Sequence, residues 1–215
     1  MSYEAYAIDA QNAKTADQGG RIEQSGKLVG QFKSVEFITS NGGAQGFEFR
    51  FETDSKQSAN FTIWTKNKSG EWLQGRAKID AIMACASIRT LTPTKQQIEK
   101  YDFDEKKTVM KECIVAAEMK DAPIGLLLQR EQYQNDKGED KWQMIHFASF
   151  NPKSELTAKE IIDRATKPDE LPRLVERLMI KPIAYRKPQN NAAPSNQSQP
   201  NNQSSNADDI DNLPF

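Results

Sequence analysis

Histidine and cysteine are nearly missing from this 215-residue chain, which has one of the first, His146, and two of the second, Cys85 and Cys113. A metal centre built on imidazole or thiolate needs several such residues at short spacing, and no such spacing occurs. A His-based nucleophilic triad has only His146 to use, and no nucleophile motif lies near it. Both cysteines sit among apolar neighbours, in Ala84-Cys85-Ala86 and Cys113-Ile114-Val115, and read as small packed side chains rather than as a disulfide. A Gly-rich phosphate loop closing in Lys and Ser/Thr is also lacking. These absences argue against an enzyme and predict no catalytic residue, no cofactor and no metal. A nuclease or nucleotide hydrolase remains the distant alternative, because scattered acids are present.

No apolar run approaches the roughly 18 residues of a membrane helix, and no basic-then-apolar leader follows Met1. The expectation is a soluble, cytoplasmic protein with no membrane partner. An excess of one charge is missing too, since 29 Lys and Arg meet 30 Asp and Glu. That balance lacks the strongly basic signature of many nucleic-acid binders, so a polyanion site would have to come from local clustering. It also implies weak binding by a single copy and leaves a homo-oligomer, or cooperative assembly, as an open expectation.

What is present is strand periodicity. Residues 1–20 are polar, broken by Gly19-Gly20, and read as a flexible N-terminal arm. Lys27 to Thr39 is a long strand whose apolar parity slips between Phe32 and Val35, with Gly30 close by; such a slip predicts a bulged, curved strand. Phe47, Phe49 and Phe51 alternate with Glu48, Arg50 and Glu52, and Ala59, Phe61 and Ile63 alternate with Asn60, Thr62 and Trp64. Both segments read as half-buried antiparallel strands. Between Arg76 and Ile88 the period becomes helical, through Ile79, Ile82, Met83 and Ala86. Thr94 to Lys107 is charged and reads as a loop or short helix. Strands follow at Thr108–Lys120, Ile124–Gln134 and Lys141–Phe150, the last two joined by a hairpin loop. Thr157 to Glu160 has capping-box spacing ahead of a helix, and Leu171, Leu174, Val175 and Leu178 mark another.

Three strands, a helix and two strands is the element order of an OB-fold, a five-stranded Greek-key barrel. The fold class expected is mainly β with helical additions: an OB-fold-like barrel over residues 21–186, with an extra strand, C-terminal helices and a disordered tail.

From Lys187 to Asn206 the chain is almost wholly Asn, Gln, Ser and Pro, a composition too poor in apolar groups to offset the entropy of ordering it. Residues 187–206 are therefore expected to be a disordered linker. Its end, residues 207–215, is different: Asp208, Asp209 and Asp211 surround Ile210, and Leu213, Pro214 and Phe215 close the chain. Acids that steer, apolar side chains that enter a pocket and a captured carboxylate describe a peptide ligand on a tether. An ordinary frayed terminus is the plainer reading. This Gln/Asn/Ser/Pro tether ending in Asp-Asp-Ile-Asp-Asn-Leu-Pro-Phe resembles the tail of bacterial and phage single-stranded DNA-binding proteins. It departs from the usual bacterial ending, which has Ile at the place of Leu213. Residues 30–66 look more diffusely like the phage-encoded branch. The resemblance implies a protein that coats single-stranded DNA in a bacterial or infected host cell, during replication, recombination or repair. It also implies that the acidic tip recruits replication, recombination and repair proteins.

Coating single strands needs exposed aromatics for bases to stack on and cations that follow phosphates. Trp64, two residues from Lys66 on the outward face of its strand, is the first candidate, with Lys68 beyond it and Arg50 on the facing strand. Lys33, Trp72 and Arg76 come next. Either tryptophan can instead be a packing residue, Trp64 under the C-terminal helices and Trp72 at the barrel end. Glu48 and Glu52 flank Arg50 and would repel phosphate unless they pair with bases. Nothing indicates recognition of particular bases, so a recombination or annealing accessory and an RNA-binding OB module stay open as alternatives.

Overall fold

The computed structural model describes residues 19–102, 105–135 and 137–186. The tail from 187, with the expected linker and tip, and all of the expected arm except Gly19 and Gly20 lie outside the described residues. Within them the protein is mainly β. Eight strands form one open, mostly antiparallel sheet: β1 (Gly26–Thr39), β2 (Gln45–Thr53), β3 (Ser58–Lys66), β4 (Pro93–Asp102), β5 (Lys107–Ala116), β6 (Pro123–Gln134), β7 (Asp140–Phe150) and β8 (Ile183–Tyr185). The helices are α1 (Gly75–Cys85), α2 (Ala158–Ile162) and α3 (Glu170–Ile180), with a 3-10 turn at Ala117–Met119. Among the described residues no helix is long and apolar enough to cross a membrane.

β1 is the strand the others are arranged on. Its register against β2 runs Phe32 with Phe51, then Ser34 with Arg50, so Lys33 is an inserted residue and the strand is bulged where the parity slips. Gly26–Gln31 pair with β6, Gly30–Thr39 pair with β2, and Glu36 meets Val115 of β5. Gly30, just before the bulge, lies so close to β2 that a Cβ there would come within 2.2 Å of the Glu52 carbonyl oxygen. Only glycine permits that approach.

The apolar alternation of β2 and β3 becomes a phenylalanine core. Phe32, Phe49 and Phe51 are fully buried, and Phe49 stacks on Phe61 across the β2–β3 ladder with centroids 4.9 Å apart and planes 9° apart. Ile79, Ile82 and Cys85 bring α1 down on this core. Burial pushes the Cys85 thiol up to about 12, which keeps it protonated and inert. Farther along, Thr157 and Glu160 form the expected capping box, and the same carboxylate accepts from the backbone N–H groups of Asp169 and Glu170 at 2.6 and 2.8 Å. One acid thus ties the start of α2 to the start of α3. Its burial opposes ionisation, but these hydrogen bonds outweigh that and hold the carboxyl below its ordinary range.

Two strands run where none was expected. The Thr94–Lys107 segment, read as a loop or short helix, is mostly β4, paired along its length with β5. Its alternation is carried by Gln96, Ile98 and Lys100, half-buried, against exposed Gln97 and Glu99, so polar side chains conceal the period of two. Ion pairs hold it: Lys95 to Glu112 at 3.1 Å, and Lys100 to both Glu36 and Glu48, at 2.8 and 3.3 Å. The strand expected over Thr108–Lys120 is β5, which ends at Ala116 in the 3-10 turn. β8 is three residues long and pairs in parallel with β6, too short to show a period. The expected five strands and one extra are therefore eight.

Candidate nucleic-acid interface

The turn after β3 builds the first half of the site. Asn67 folds back on itself: its Oδ1 accepts from the backbone N–H groups of Ser69 and Glu71 at 2.9 and 3.0 Å. The chain returns beside β3, where Leu73 N–H donates to the Thr65 carbonyl at 2.8 Å and Trp72 bridges to Lys66. Trp72 and Lys66 are thereby cross-strand neighbours, and Arg76 follows in the first turn of α1. Lys66 Nζ stands 4.3 Å from the centroid of the Trp72 ring and Arg76 Cζ stands 4.5 Å from it. Two cations share one indole, which is still 58% exposed.

Below Trp72 runs a groove of about 670 Å³ between the end of β1, the start of β2, α1 and the 89–93 segment. Phe37, Phe47, Ile79, Met83 and Leu91 give it apolar walls, while Lys66, Arg76 and Arg89 are its cations. Asp80 is its one carboxylate, and Arg76 Nε already binds both its oxygens at 3.1 Å. Among the described residues neither Lys66 nor Arg89 has a carboxylate partner. A chain with balanced total charge thus presents a locally cationic groove.

The other expected site residues are spread more widely. Trp64 faces outward from β3 and is 38% exposed, its ring lying across Gly46 of β2, where a Cβ would come within 3.0 Å of Trp64 Cε3. Between Trp64 and Lys66 the β2–β3 register shifts, and Lys66 lines the groove whereas Trp64 does not. Lys68 is exposed in the turn, beside Gly43 of the β1–β2 turn. Arg50 is exposed on β2, opposite Asn60, and without an ion-pair partner among the described residues. It is four residues from Gly46, about 13 Å along the strand, and so not beside Trp64. Lys33, the bulge residue, pairs with Asp121 at 3.4 Å. The acids flanking Arg50 are occupied: Glu48 by Lys100, and Glu52 by Lys56 at 3.1 Å. Burial works against the charge on Lys100, but Glu36 and Glu48 outweigh it and raise its pKa.

A second aromatic–cation assembly was not singled out in the sequence. Trp142 of β7 lies between Arg21 and Arg130, whose guanidinium carbons are 4.1 and 4.5 Å from its centroid. Its members come from β6, β7 and the segment before β1, and the sequence signal that could have found it is the pair Lys141-Trp142 facing Tyr133 across the hairpin loop.

His146 is buried, with Nε2 2.7 Å from Ser149 Oγ. Burial first, and Lys78 second, hold its pKa down to about 3, so the ring is neutral near pH 7. Among the described residues no three His, Cys, Asp or Glu side chains are grouped to hold a metal ion. Compared with models of known protein families and with curated protein sequences, the chain matches none.

Proposed function

We propose that this protein binds single-stranded DNA without base specificity, coating and protecting it without catalysis. The observation that carries the reading is Trp72, an exposed indole flanked by Lys66 and Arg76 on the rim of a cationic groove with apolar walls. A base stacks on an indole whatever its identity, and lysine or arginine beside it meets the adjoining phosphate. Trp64 and Arg50, along the outer face of β2 and β3, extend the track.

The strand connections support an OB-like reading of the framework. Bulged β1 pairs with both β2 and β6, β2 with β3, and β6 with β7. β3 and β7 face each other through Phe61 and His146, whose ring centroids are 6.2 Å apart. In this reading β1, β2, β3, β6 and β7 are the five barrel strands, and the β4–β5 hairpin is an insertion after α1. The acidic tip, Asp208 to Phe215, is then the recruiting element, joined to the domain by the 20 residues from Lys187 to Asn206.

Fluorescence anisotropy with labelled oligo(dT) and the matching duplex tests the DNA reading. Single strands are expected to bind at least about tenfold more tightly; equal affinity, or no binding at low salt, overturns it. Truncation after Asn206 tests the division of labour, with DNA affinity unchanged or slightly higher and host-protein capture lost. A truncated protein that loses DNA but keeps its partners contradicts it.

A further inference from the structure

We infer that the Trp142 assembly is a second contact for the nucleic-acid strand, a stacking-and-phosphate site at the opposite end of β1 from the Trp72 groove. The inference rests on the single-strand reading above and adds a binding site to it. The start of β1, Gly26, pairs with Leu128 of β6, two residues before Arg130, whereas its end, Thr39, lines the groove. One long strand therefore carries a site at each end.

The surface here forms a depression of about 560 Å³ between β6, β7 and β8. Trp142, Tyr133 and Tyr185 supply three aromatic rings, and Arg130, Lys141 and Arg186 supply three cations. Asp140 is the one acid of the lining, and Lys141 is paired with Glu139 just outside it at 3.1 Å. Arg186 stands 5.2 Å from the centroid of Tyr133 and is also paired with Glu131. Tyr185 is 69% exposed, an aromatic on the surface with no core to fill. Arg130 has no carboxylate partner among the described residues, and one of its terminal nitrogens reaches only the Glu23 carbonyl, at 3.3 Å. A guanidinium whose fork is not taken up by a carboxylate keeps donors for a phosphate oxygen.

An exposed ring beside cations is what both sites share, Tyr185 here and Trp72 at the groove, with Trp142 packed beneath Arg21 and Arg130 as the support. This composition matches a base with its phosphate better than a purely anionic or purely apolar ligand. β1 has 14 residues and spans about 45 Å, so only a nucleic-acid strand at least that long can touch both sites. Each site then holds part of the strand, and affinity rises with strand length until both are filled.

The test uses the full chain and two exposed residues, so that folding is not at stake: Tyr185→Ala combined with Arg186→Ala, compared with Trp72→Ala and the unaltered protein. Labelled oligo(dT) of increasing length is titrated against each. The double variant is expected to bind long strands about tenfold more weakly, with a salt slope reduced by about 0.7 for the lost phosphate contact. It should also show a smaller gain on lengthening the strand. If Trp72→Ala weakens binding while the double variant binds every length like the unaltered protein, the second site is wrong and the groove stands. If the unaltered protein binds no single strand, both readings fall together.

Discussion

The Trp72 groove and the Trp142 depression use the same chemistry and differ in how the chain assembles them. The groove's aromatic and two of its cations, Lys66, Trp72 and Arg76, lie within eleven residues, brought together by one Asn67 turn and the first turn of a helix. The depression draws Arg130, Tyr133, Trp142, Tyr185 and Arg186 from three separate stretches of chain, and Arg21 of a fourth lies against Trp142. A local site survives small changes elsewhere in the fold, whereas a dispersed one depends on the register of β6 against β1, β7 and β8. The first is also readable from spacing, and the second is not.

Removing the shared framework should abolish that difference. Phe49 is fully buried and touches the rings of Phe32, Phe47 and Phe61, so Phe49→Ala deletes the centre of the core under both sites. The expected loss of stability is about 3–5 kcal/mol, read from the denaturant midpoint. A loss below about 1 kcal/mol would mean that the phenylalanine cluster does not hold β1, β2 and β3 together.

Next in size is the stacking itself. Trp72→Ala should weaken single-strand binding by about 1–3 kcal/mol, with a nearly unchanged salt slope because stacking releases no counterions. Trp64→Ala should act in the same direction but less, since Trp64 lies outside the groove with its ring laid across Gly46. Titrations of both variants rank the two tryptophans; a larger loss at Trp64 would move the main contact to the outer face of β3.

The smallest effect belongs to Lys66. Lys66→Ala should flatten the salt dependence by about 0.7, the value of one phosphate contact on a single strand. An unchanged slope across a salt series would make Lys66 only a ring neighbour of Trp72.

Much of the framework was legible because the periods were clean. The Phe32–Val35 parity slip located the β1 bulge, the alternating phenylalanines gave β2, and the Thr157–Glu160 spacing gave the capping box. β4 was not legible, since Gln96, Ile98 and Lys100 hide a strand face in polar side chains whose partners, Glu36 and Glu48, lie far off in sequence. At the site, Trp72 and Arg76 ranked below Trp64 because strand parity favours a residue two places from Lys66. The register shift after Trp64 and the turn at Asn67 set Trp72, rather than Trp64, among the residues that line the groove. Arg50 was grouped with Trp64 through its outward face and the expected β2–β3 hairpin, which the ladder shows, but it stands opposite Asn60, and with Lys33 it lies near the middle of β1 and β2, away from the groove.

The most direct measurement is photo-crosslinking of an oligo(dT) carrying a halogenated uracil to the full chain, followed by peptide mapping. The halogenated base reports the aromatic ring on which it is stacked. The predicted principal adduct is on Trp72, and it should disappear when unlabelled single strand, but not duplex, is added in excess. Adducts confined to peptides without Trp72, formed while the strand is fully bound, would contradict the placement of the binding groove.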